Sequence, residues 1–250
     1  MEIRFLIRYL ITIYYLRPKQ IYYRFFYKFY RPNKPKISEI KISRLKKIFF
    51  PNYKKKTYLN ENTFIFLNKK NKIKINSLWY NPKYGKLWLY NLNYFDFLNT
   101  SENNQSNTKK NLNLIKSWVN NNPYLSSIAW DPYPTSLRIV NLIKFCVSNT
   151  INDQQLNHSI FLQSHYITKK IEWHIMGNHI IANAKALVFA GIYFNCSESK
   201  KFLNLGLSIL DREISEQILD DGGHFELSTM YHNIIINDFI DIIYFAKAQK

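Results

Sequence analysis

The second half of the chain carries a regular spacing of apolar residues, and this spacing most constrains the fold. Between residues 111 and 250, apolar side chains recur at intervals of three and four, as they do on one face of an α-helix. One such stripe contains Leu112, Ile115 and Val119. Consecutive helices joined by short connections pack antiparallel. The pattern therefore predicts an all-helical array, and by itself it leaves open a bundle, a solenoid or a toroid.

Capping residues and helix breakers divide this half of the chain into successive helices. Polar capping residues open several of them, and Pro or Gly ends or separates them. The predicted helices run from about 111 to 122, from 135 or 136 onward, from about 153 to 175, from 178 onward, from about 201 to 219, and from about 228 to the end of the chain. The last one reaches Lys250 without a capping residue, which favours a fragment of a longer protein.

The first sixty residues predict a basic segment that precedes the helical domain. Residues 1–30 combine apolar and aromatic side chains with Lys and Arg, but the apolar run Tyr9–Leu16 is too short to span a bilayer. We expect a basic amphipathic helix that packs on the protein, with weak contact to a membrane surface as the alternative. The expected domains are 1–60, this segment with its connector, and 61–250, the helical domain.

Short strands are predicted between the connector and the helices. Phe64–Leu67 and Ile73–Ile75 are brief apolar pieces separated by turn-forming residues. Residues 99–110 are polar and are expected to form a loop. The predicted fold class is therefore all-α, with a short irregular, β-containing N-terminal region.

Charge and cysteine content restrict the partners. The net charge of +18, from 35 Lys and Arg against 17 Asp and Glu, attracts nucleic acid, anionic membranes or acidic polysaccharides. No nucleic-acid-binding signature accompanies the charge, so no nucleic-acid partner is expected. Cys146 and Cys196 are the only cysteines, and we expect buried thiols with no disulfide or cysteine-based metal site. No secretory signal is recognisable, which favours the cytoplasm.

The segment Asp220–Asn233 concentrates residues that can carry chemistry. A pair of glycines marks backbone that a side chain would obstruct. Ser228 or Thr229 can cap a helix whose first turn holds Tyr231 and His232, where the helix dipole favours an ionised phenol. The alternative is an ordinary turn leading into a core helix, because Tyr231 shares one helical face with apolar residues that follow it.

Asn178 and His179 form a second polar helix start, directly after Gly177. If alternate helices begin on the same rim of the array, Asn178 and Tyr231 meet across a cleft. The alternatives are that Asn178 is only an N-cap, and that His179 and Asn183 hydrogen-bond to each other at positions i and i+4.

A metal site at His224, Glu226 and His232 matches no standard zinc spacing, and His224 and Glu226 can instead stiffen a turn. No metal and no other cofactor is expected.

An amide, an imidazole and a phenol around one cleft suit the removal of a proton next to a uronic acid carboxylate. Asn and His side chains can donate hydrogen bonds that neutralise the carboxylate. A Tyr can take the C5 proton and then protonate the leaving oxygen. The positive field of the chain would help to collect a polyanionic substrate.

The segment Trp130–Pro134 predicts a rigid aromatic loop before a helix that contains Arg138. A cation near a helix start opposes the helix dipole, which indicates a task for Arg138 such as binding a carboxylate. The alternative is an ordinary surface or structural arginine.

Three motifs together resemble the heparinase II/III family of polysaccharide lyases. They are Trp130–Asn141, Gly177–Leu187 and Asp221–His232, and they occur in the family's order and approximate spacing, within a resemblance that covers about residues 75–250. The resemblance implies an incomplete (α/α) toroid of antiparallel helix pairs. It also implies β-elimination on an acidic, glycosaminoglycan-like or alginate-like polysaccharide, which leaves an unsaturated uronyl end.

The resemblance also implies roles for individual residues. Asn178 and His179 would neutralise the carboxylate, and Tyr231 would serve as base and acid. The residues expected to line or brace the substrate cleft are Arg138, His224, Glu226, His232, Trp130 and Tyr133.

The chain also departs from the family pattern. Family members continue the toroid beyond the equivalent of residue 250, bring a further histidine from that later part, and add a β-sandwich that packs on the toroid. The expectation is therefore either a lyase or a truncated, non-catalytic glycan-binding or vestigial module of the same fold. The family is typically periplasmic, so both the cytoplasm and the periplasm stay open as locations.

Overall fold

A computed structural model describes residues 3–37, 40–50, 56–59, 62–73, 79–99 and 105–249. These residues form helices with one small hairpin, β1 (Thr63–Phe66) and β2 (Lys69–Lys72). The helices are α1 (Ile3–Tyr14), α2 (Pro18–Phe29), α3 (Lys86–Tyr94), α4 (Gln105–Asn121), α5 (Pro132–Asn149), α6 (Gln154–Lys169), α7 (Asn178–Tyr193), α8 (Ser197–Gln217) and α9 (Thr229–Ala248). The predicted all-α fold with a short β-containing region is confirmed.

Helices α5 and α7 lie side by side and run parallel. The Tyr133 ring lies 4.3 Å from the His179 ring, and one turn further along both helices the Asn183 amide donates to Ser136 Oγ at 2.9 Å. Contacts that advance in the same direction along both helices require parallel axes. The N-termini of α5 and α7 therefore lie at the same end of the array.

Helix α9 runs parallel to α7 on its other side. Lys185 Nζ donates to Asp238 Oδ1 at 2.8 Å, and the Phe189 and Phe245 rings stack 4.6 Å apart further along both helices. The three helices α5, α7 and α9 form an inner layer whose N-termini share one rim, as the sequence analysis supposed for alternate helices.

A buried ionic cluster joins the inner helices below that rim. Lys185 bonds to both Asp238 and Asp241, and Lys144 Nζ reaches Asp241 Oδ2 at 2.6 Å. Burial alone lowers the pKa of Lys185, but the two carboxylates outweigh it and raise the pKa above its ordinary value. Burial acts to raise the pKa of Asp241, and the two lysines bring it below its ordinary value. Lys185 and Asp241 are therefore both charged in the folded protein.

Helices α6 and α8 form an outer layer antiparallel to their inner neighbours. Helices α7 and α8 cross closely at two glycines: a Cβ on Gly191 would lie 2.6 Å from Leu203 Cβ, and one on Gly206 would lie 2.9 Å from the Ala184 carbonyl oxygen. Glycine lets the two backbones approach more closely than any side chain would allow. The alternation of inner and outer helices is that of antiparallel pairs.

Some predicted helix boundaries are wrong. Helix α5 begins at Pro132, inside the stretch predicted to be a loop, and Asp131, not Thr135 or Ser136, occupies its N-cap. Helix α6 ends at Lys169 and not near residue 175, because the following loop turns inward to bury Glu172, whose backbone N–H donates to the Asn183 side chain at 2.9 Å. Helix α4 begins at Gln105, within the stretch predicted to be a loop. Lys109 and Lys110 of this helix are exposed, and no apolar residue stands in its sequence before Leu112, so no apolar stripe marks its start.

The basic N-terminal segment forms two helices with different surroundings. Helix α2 packs against the loop that follows α6: the Tyr27 hydroxyl donates to the Ile171 carbonyl at 2.8 Å, and the Gln20 amide donates to the Ile175 carbonyl at 3.2 Å. The side chains of α1 that the structure describes are exposed. None of the helices in the described part of the chain has the length and hydropathy that a membrane crossing requires.

The small hairpin and the cysteines follow their predictions only in part. Strand β1 contains Phe64 and Phe66 as predicted, whereas Leu67 lies in the turn, and Lys74 and Ile75 fall outside the described residues. Cys146 is buried, and burial raises the pKa of its thiol to about 12. Cys196 is only half-buried, because it is the residue that precedes α8. The proposed domain boundary at residue 60 stays a prediction.

Candidate active site

A cavity of about 390 Å³ opens at the rim where α7 and α9 begin. Asn178 and Tyr231, which the sequence places at two separate helix starts, both line it. His179, Glu226, Arg17 and Gln20 are also part of its wall. The structure thus brings the predicted amide, imidazole and phenol to one cavity, while their catalytic roles stay predictions.

The first turn of α7 begins at a glycine that a carboxylate overlies. Gly177 occupies the N-cap position with φ +59° and no side-chain cap, and a Cβ there would lie 2.7 Å from Glu226 Oε1. The alternative that Asn178 is the N-cap is therefore wrong, since Asn178 is the first helical residue. The Glu226 carboxylate lies close to the helix start, where the dipole favours negative charge.

His179 is oriented by a buried carboxylate. Its Nδ1 lies 3.1 Å from Glu172 Oε1, and the Asn183 amide donates to Glu172 Oε2 at 3.1 Å. A carboxylate accepts, so Nδ1 carries the hydrogen, and Nε2 is the nitrogen left for a ligand. The alternative that His179 and Asn183 bond to each other is wrong, because both bond to Glu172.

His224 joins three segments behind the cavity wall. The Glu226 backbone N–H donates to His224 Nδ1 at 3.4 Å, so Nε2 donates to Gln217 Oε1 at 3.1 Å. The Gln217 amide in turn donates to the Gly177 carbonyl at 2.9 Å. His224 is 2% exposed, and this burial lowers its pKa, which favours the neutral ring. His224 thus stiffens the turn, and its ring lies 6.5 Å from the Tyr231 ring.

Tyr231 and His232 lie in the first turn of α9, which begins after Ser228 as predicted. The Ser228 side chain makes no capping hydrogen bond. Both side chains are half-buried, and Tyr231 lines the cavity, whereas His232 lies outside the described lining. Among the described residues, no group of three or more His, Cys, Asp or Glu side chains is arranged to hold a metal ion.

Arg138 lies in the core, which corrects the expectation that it binds a substrate carboxylate. It is 0% exposed, and its guanidinium donates to Gln163 Oε1 and to the carbonyl oxygens of Asn93 and Ala129 at 2.8–3.0 Å. Its Cζ lies 4.0 Å from the centre of the Trp118 ring. Burial lowers the pKa of this arginine. These contacts favour the alternative of a structural arginine.

Trp130 is likewise a core residue, which corrects its assignment to the substrate cleft. It is 4% exposed, and its ring packs against those of Trp118, Tyr124 and Tyr166. Tyr133 is half-buried and lies against His179, so it braces the imidazole. Burial raises the pKa of the Tyr133 phenol.

Several residues that line or hold the site were not predicted from the sequence, among them the four that follow. Glu172 was placed inside a helix, Gln217 carried no local signal, and Arg17 and Gln20 belong to a segment far away in the chain. Each meets the site only through tertiary packing, so neither spacing nor periodicity marks it. The single sequence signal was a cluster of Glu172 with Trp173 and His174 just before Gly177.

The helical layers and the cavity define the class of protein. Inner helices alternate with outer ones, as in an (α/α) toroid, and the cavity lies where two inner helices begin. Residues 23–250 match the family model described as the heparinase II/III N-terminus. The chain belongs to this family.

Three curated relatives share parts of the sequence, and each is described as a heparin-sulfate lyase. The protein from Bacteroides thetaiotaomicron is 30% identical over 152 residues, which is 56% of this chain and 21% of the relative. The one from Bacteroides stercoris is 32% identical over 111 residues, covering 37% and 17% of the two chains. The Pedobacter heparinus protein is 34% identical over 88 residues, covering 35% and 12%.

The chain thus spans about a fifth of the first of these relatives, at 21% of its length. No solved structure matches the chain.

Proposed function

We propose that the protein is a polysaccharide lyase that cleaves an anionic, uronic acid-containing polysaccharide by β-elimination at the cavity described above. The observation that carries the proposal is that Asn178, His179 and Tyr231 line one cavity in a member of the heparinase II/III family. The descriptions of the three relatives make heparin sulfate the first polysaccharide to test.

The start of α7 would bind the uronate carboxylate. The Asn178 amide donates one hydrogen bond. His179 donates a second from Nε2 in its imidazolium form, in which the Nδ1–H is held by Glu172. These donors stabilise the negative charge that builds up on the carboxylate as the C5 proton leaves. The dipole of α7 acts in the same direction, because its positive end faces the cavity.

Tyr231 would move the proton. Its ionised phenol takes the C5 proton, the C5–H electron pair forms the C4–C5 double bond, and the bond from C4 to the glycosidic oxygen breaks. The protonated phenol then returns the proton to that leaving oxygen. The reaction needs no oxidant and no water, and His224 holds the loop that precedes Tyr231 in place.

The test is the absorbance of the unsaturated uronate during incubation with heparin sulfate and other anionic polysaccharides. We expect Tyr231→Phe to lower kcat by about 10²–10⁴-fold, the range of general acid–base catalysis. Tyr14→Phe is the matched control, because Tyr14 is 83% exposed on α1. Equal rates for Tyr231→Phe and the parent would refute the assigned role.

The non-catalytic module predicted as the alternative gives a different result. It binds the same polysaccharides and releases no unsaturated product. Retention on immobilised heparin sulfate without a gain in absorbance would select it over the lyase. Absence of both binding and cleavage across anionic polysaccharides would reject both functions.

We also propose that α1 and the outer face of α2 contact an anionic membrane surface. Phe5 on α1 and Phe29 on α2 are 60% and 79% exposed, and residues 3–37 contain Lys and Arg but no Asp or Glu. Exposed aromatic side chains with interspersed cations suit the interface of an anionic bilayer. Sedimentation with phosphatidylserine vesicles is expected to retain the protein, and Phe5→Ser with Phe29→Ser to release it.

The matched control for this surface is Ile240→Ser, which removes an exposed apolar side chain from α9. Equal binding of all variants, or equal binding to vesicles of phosphatidylcholine alone, would refute the contact.

A further inference from the structure

The N-terminal segment contributes part of the cavity wall. Arg17, the residue before α2, and Gln20, in its first turn, both line the cavity. Gln20 is anchored to the Ile175 carbonyl, in the loop that also carries Glu172. Arg17 lies outside the 23–250 region that matches the family model, so nothing in that match assigns it a role.

The charges on the wall single out Arg17. Among the described residues that line the cavity, Arg17 is the only Lys or Arg, and Glu213, Glu216 and Glu226 are carboxylates. Glu213 is buried and bonds to Arg212 at 2.6 Å. A polyanionic substrate would meet an acidic wall here, and Arg17 is the cation placed to offset it.

Arg17 is held in place by a weak contact. Its guanidinium forms an ion pair with Glu216, and the two side chains are 56% and 32% exposed. Side-chain bonding to Glu216 raises the pKa of Arg17, so it carries its charge at neutral pH. Ion pairs at such exposure are weak, because water screens both charges. A better anionic partner can therefore displace Glu216.

Further cations lie next to this pair. Lys19 Nζ lies 3.5 Å from the centre of the Trp173 ring, and Arg212 Cζ lies 4.4 Å from it. These contacts hold two more positive charges on the surface beside Arg17. An anionic chain that leaves the cavity on this side would approach Lys19 and Arg212 as well as Arg17.

We infer that Arg17 binds a carboxylate or sulfate group on a sugar next to the uronate that is cleaved, and that Glu216 occupies Arg17 until substrate displaces it. A guanidinium binds either group through two parallel hydrogen bonds. The inference rests on the proposed binding of anionic polysaccharide. Arg17, at the start of α2, would thus form an additional substrate subsite beside the helical domain.

If substrate displaces Glu216 from Arg17, substitutions of these two residues change the Kd in opposite directions, and the test measures both changes. Arg17→Gln loses a charged hydrogen bond and is expected to weaken the Kd for a heparin sulfate oligosaccharide by roughly tenfold. Glu216→Gln removes the competitor and is expected to tighten the Kd by about two- to fivefold. Arg24→Gln is the matched control on α2, because it removes the same charge outside the lining of the cavity.

Each outcome of this test supports or overturns the inference. If the ion pair between Arg17 and Glu216 has only a structural role, the two substitutions weaken binding together or leave it unchanged together, and both lower the Tm. If Arg17→Gln no longer weakens the Kd for an N- and O-desulfated oligosaccharide, the group that Arg17 binds is a sulfate. If the weakening persists, the group is a carboxylate.

The Kd is measured whether or not cleavage occurs, so a protein that binds without cleaving refutes the lyase and still tests Arg17. If the parent protein binds none of these oligosaccharides, both proposals are overturned.

Discussion

The substitution Gly177→Ala is expected to damage both the fold and the site. Gly177 has φ +59° and ψ −147°, a backbone conformation that is essentially restricted to glycine. Any other residue there costs about 1–3 kcal/mol. In addition, the new Cβ would lie 2.7 Å from Glu226 Oε1, so the carboxylate has to move away from the start of α7.

A second glycine allows the two effects to be separated. Gly85 has a similar backbone conformation, φ +77° and ψ +150°, and a Cβ there would meet nothing within 4 Å. Gly85→Ala therefore carries the backbone cost alone. Displacing a carboxylate from a helix start costs about 0.3–1 kcal/mol more, so we expect Gly177→Ala to destabilise by roughly 1 kcal/mol beyond Gly85→Ala.

Equilibrium unfolding in urea measures the two free energies. In a Glu226→Ala background the carboxylate is already absent, so adding Gly177→Ala there is expected to cost only the backbone penalty, close to the loss in Gly85→Ala. Lyase activity is expected to fall at least tenfold in Gly177→Ala and to be unchanged in Gly85→Ala, because the altered turn carries Asn178 and His179. Equal destabilisation by the two single variants, with full activity in both, would refute this reading of the site.

Three further outcomes test other parts of the structure. Arg138→Met leaves buried carbonyl and amide oxygens without their donor and is expected to lower the free energy of unfolding by about 3 kcal/mol, measured by urea denaturation. Glu172→Gln weakens the hold on His179 and is expected to lower kcat about tenfold with little change in KM, whereas a purely structural role would change stability alone.

Burial lowers the pKa of His174 to about 4, so the unfolded chain binds its proton first as the pH falls below about 6.5. Full linkage gives a drop of about 2 kcal/mol between pH 7 and pH 5, and solvent screening of the half-buried ring reduces the expected drop to about 1 kcal/mol. His174→Gln is expected to show a smaller drop.

Local sequence signals located the helix starts that form the site. The glycine before Asn178 and the hydroxyl residues before Tyr231 are short-range features, so they mark helix ends without knowledge of the fold. The convergence of these two starts followed from one assumption, that alternate helices begin on one rim. The parallel contacts of α5, α7 and α9 satisfy it.

Tertiary contacts account for what sequence could not supply. The apolar spacing continues through Ile171, yet α6 ends at Lys169, because burial of Glu172 beside Asn183 outweighs the helical preference of the loop. A cation near a helix start is unusual, and this led to the prediction that Arg138 binds a carboxylate. Its acceptors come from α3, α6 and the loop before α5, and no local pattern reveals them.

The ionic contacts of Lys185 fix the vertical register of α9. If α9 slid by one turn along α7, Lys185 would keep only one of the two carboxylates, which are themselves one turn apart, and breaking the other pair would cost several kcal/mol. Apolar packing alone tolerates such a slip far better, since one aliphatic side chain replaces another. The position of Tyr231 along the cavity wall therefore depends on the ion pairs that Asp238 and Asp241 form two to three turns further along α9.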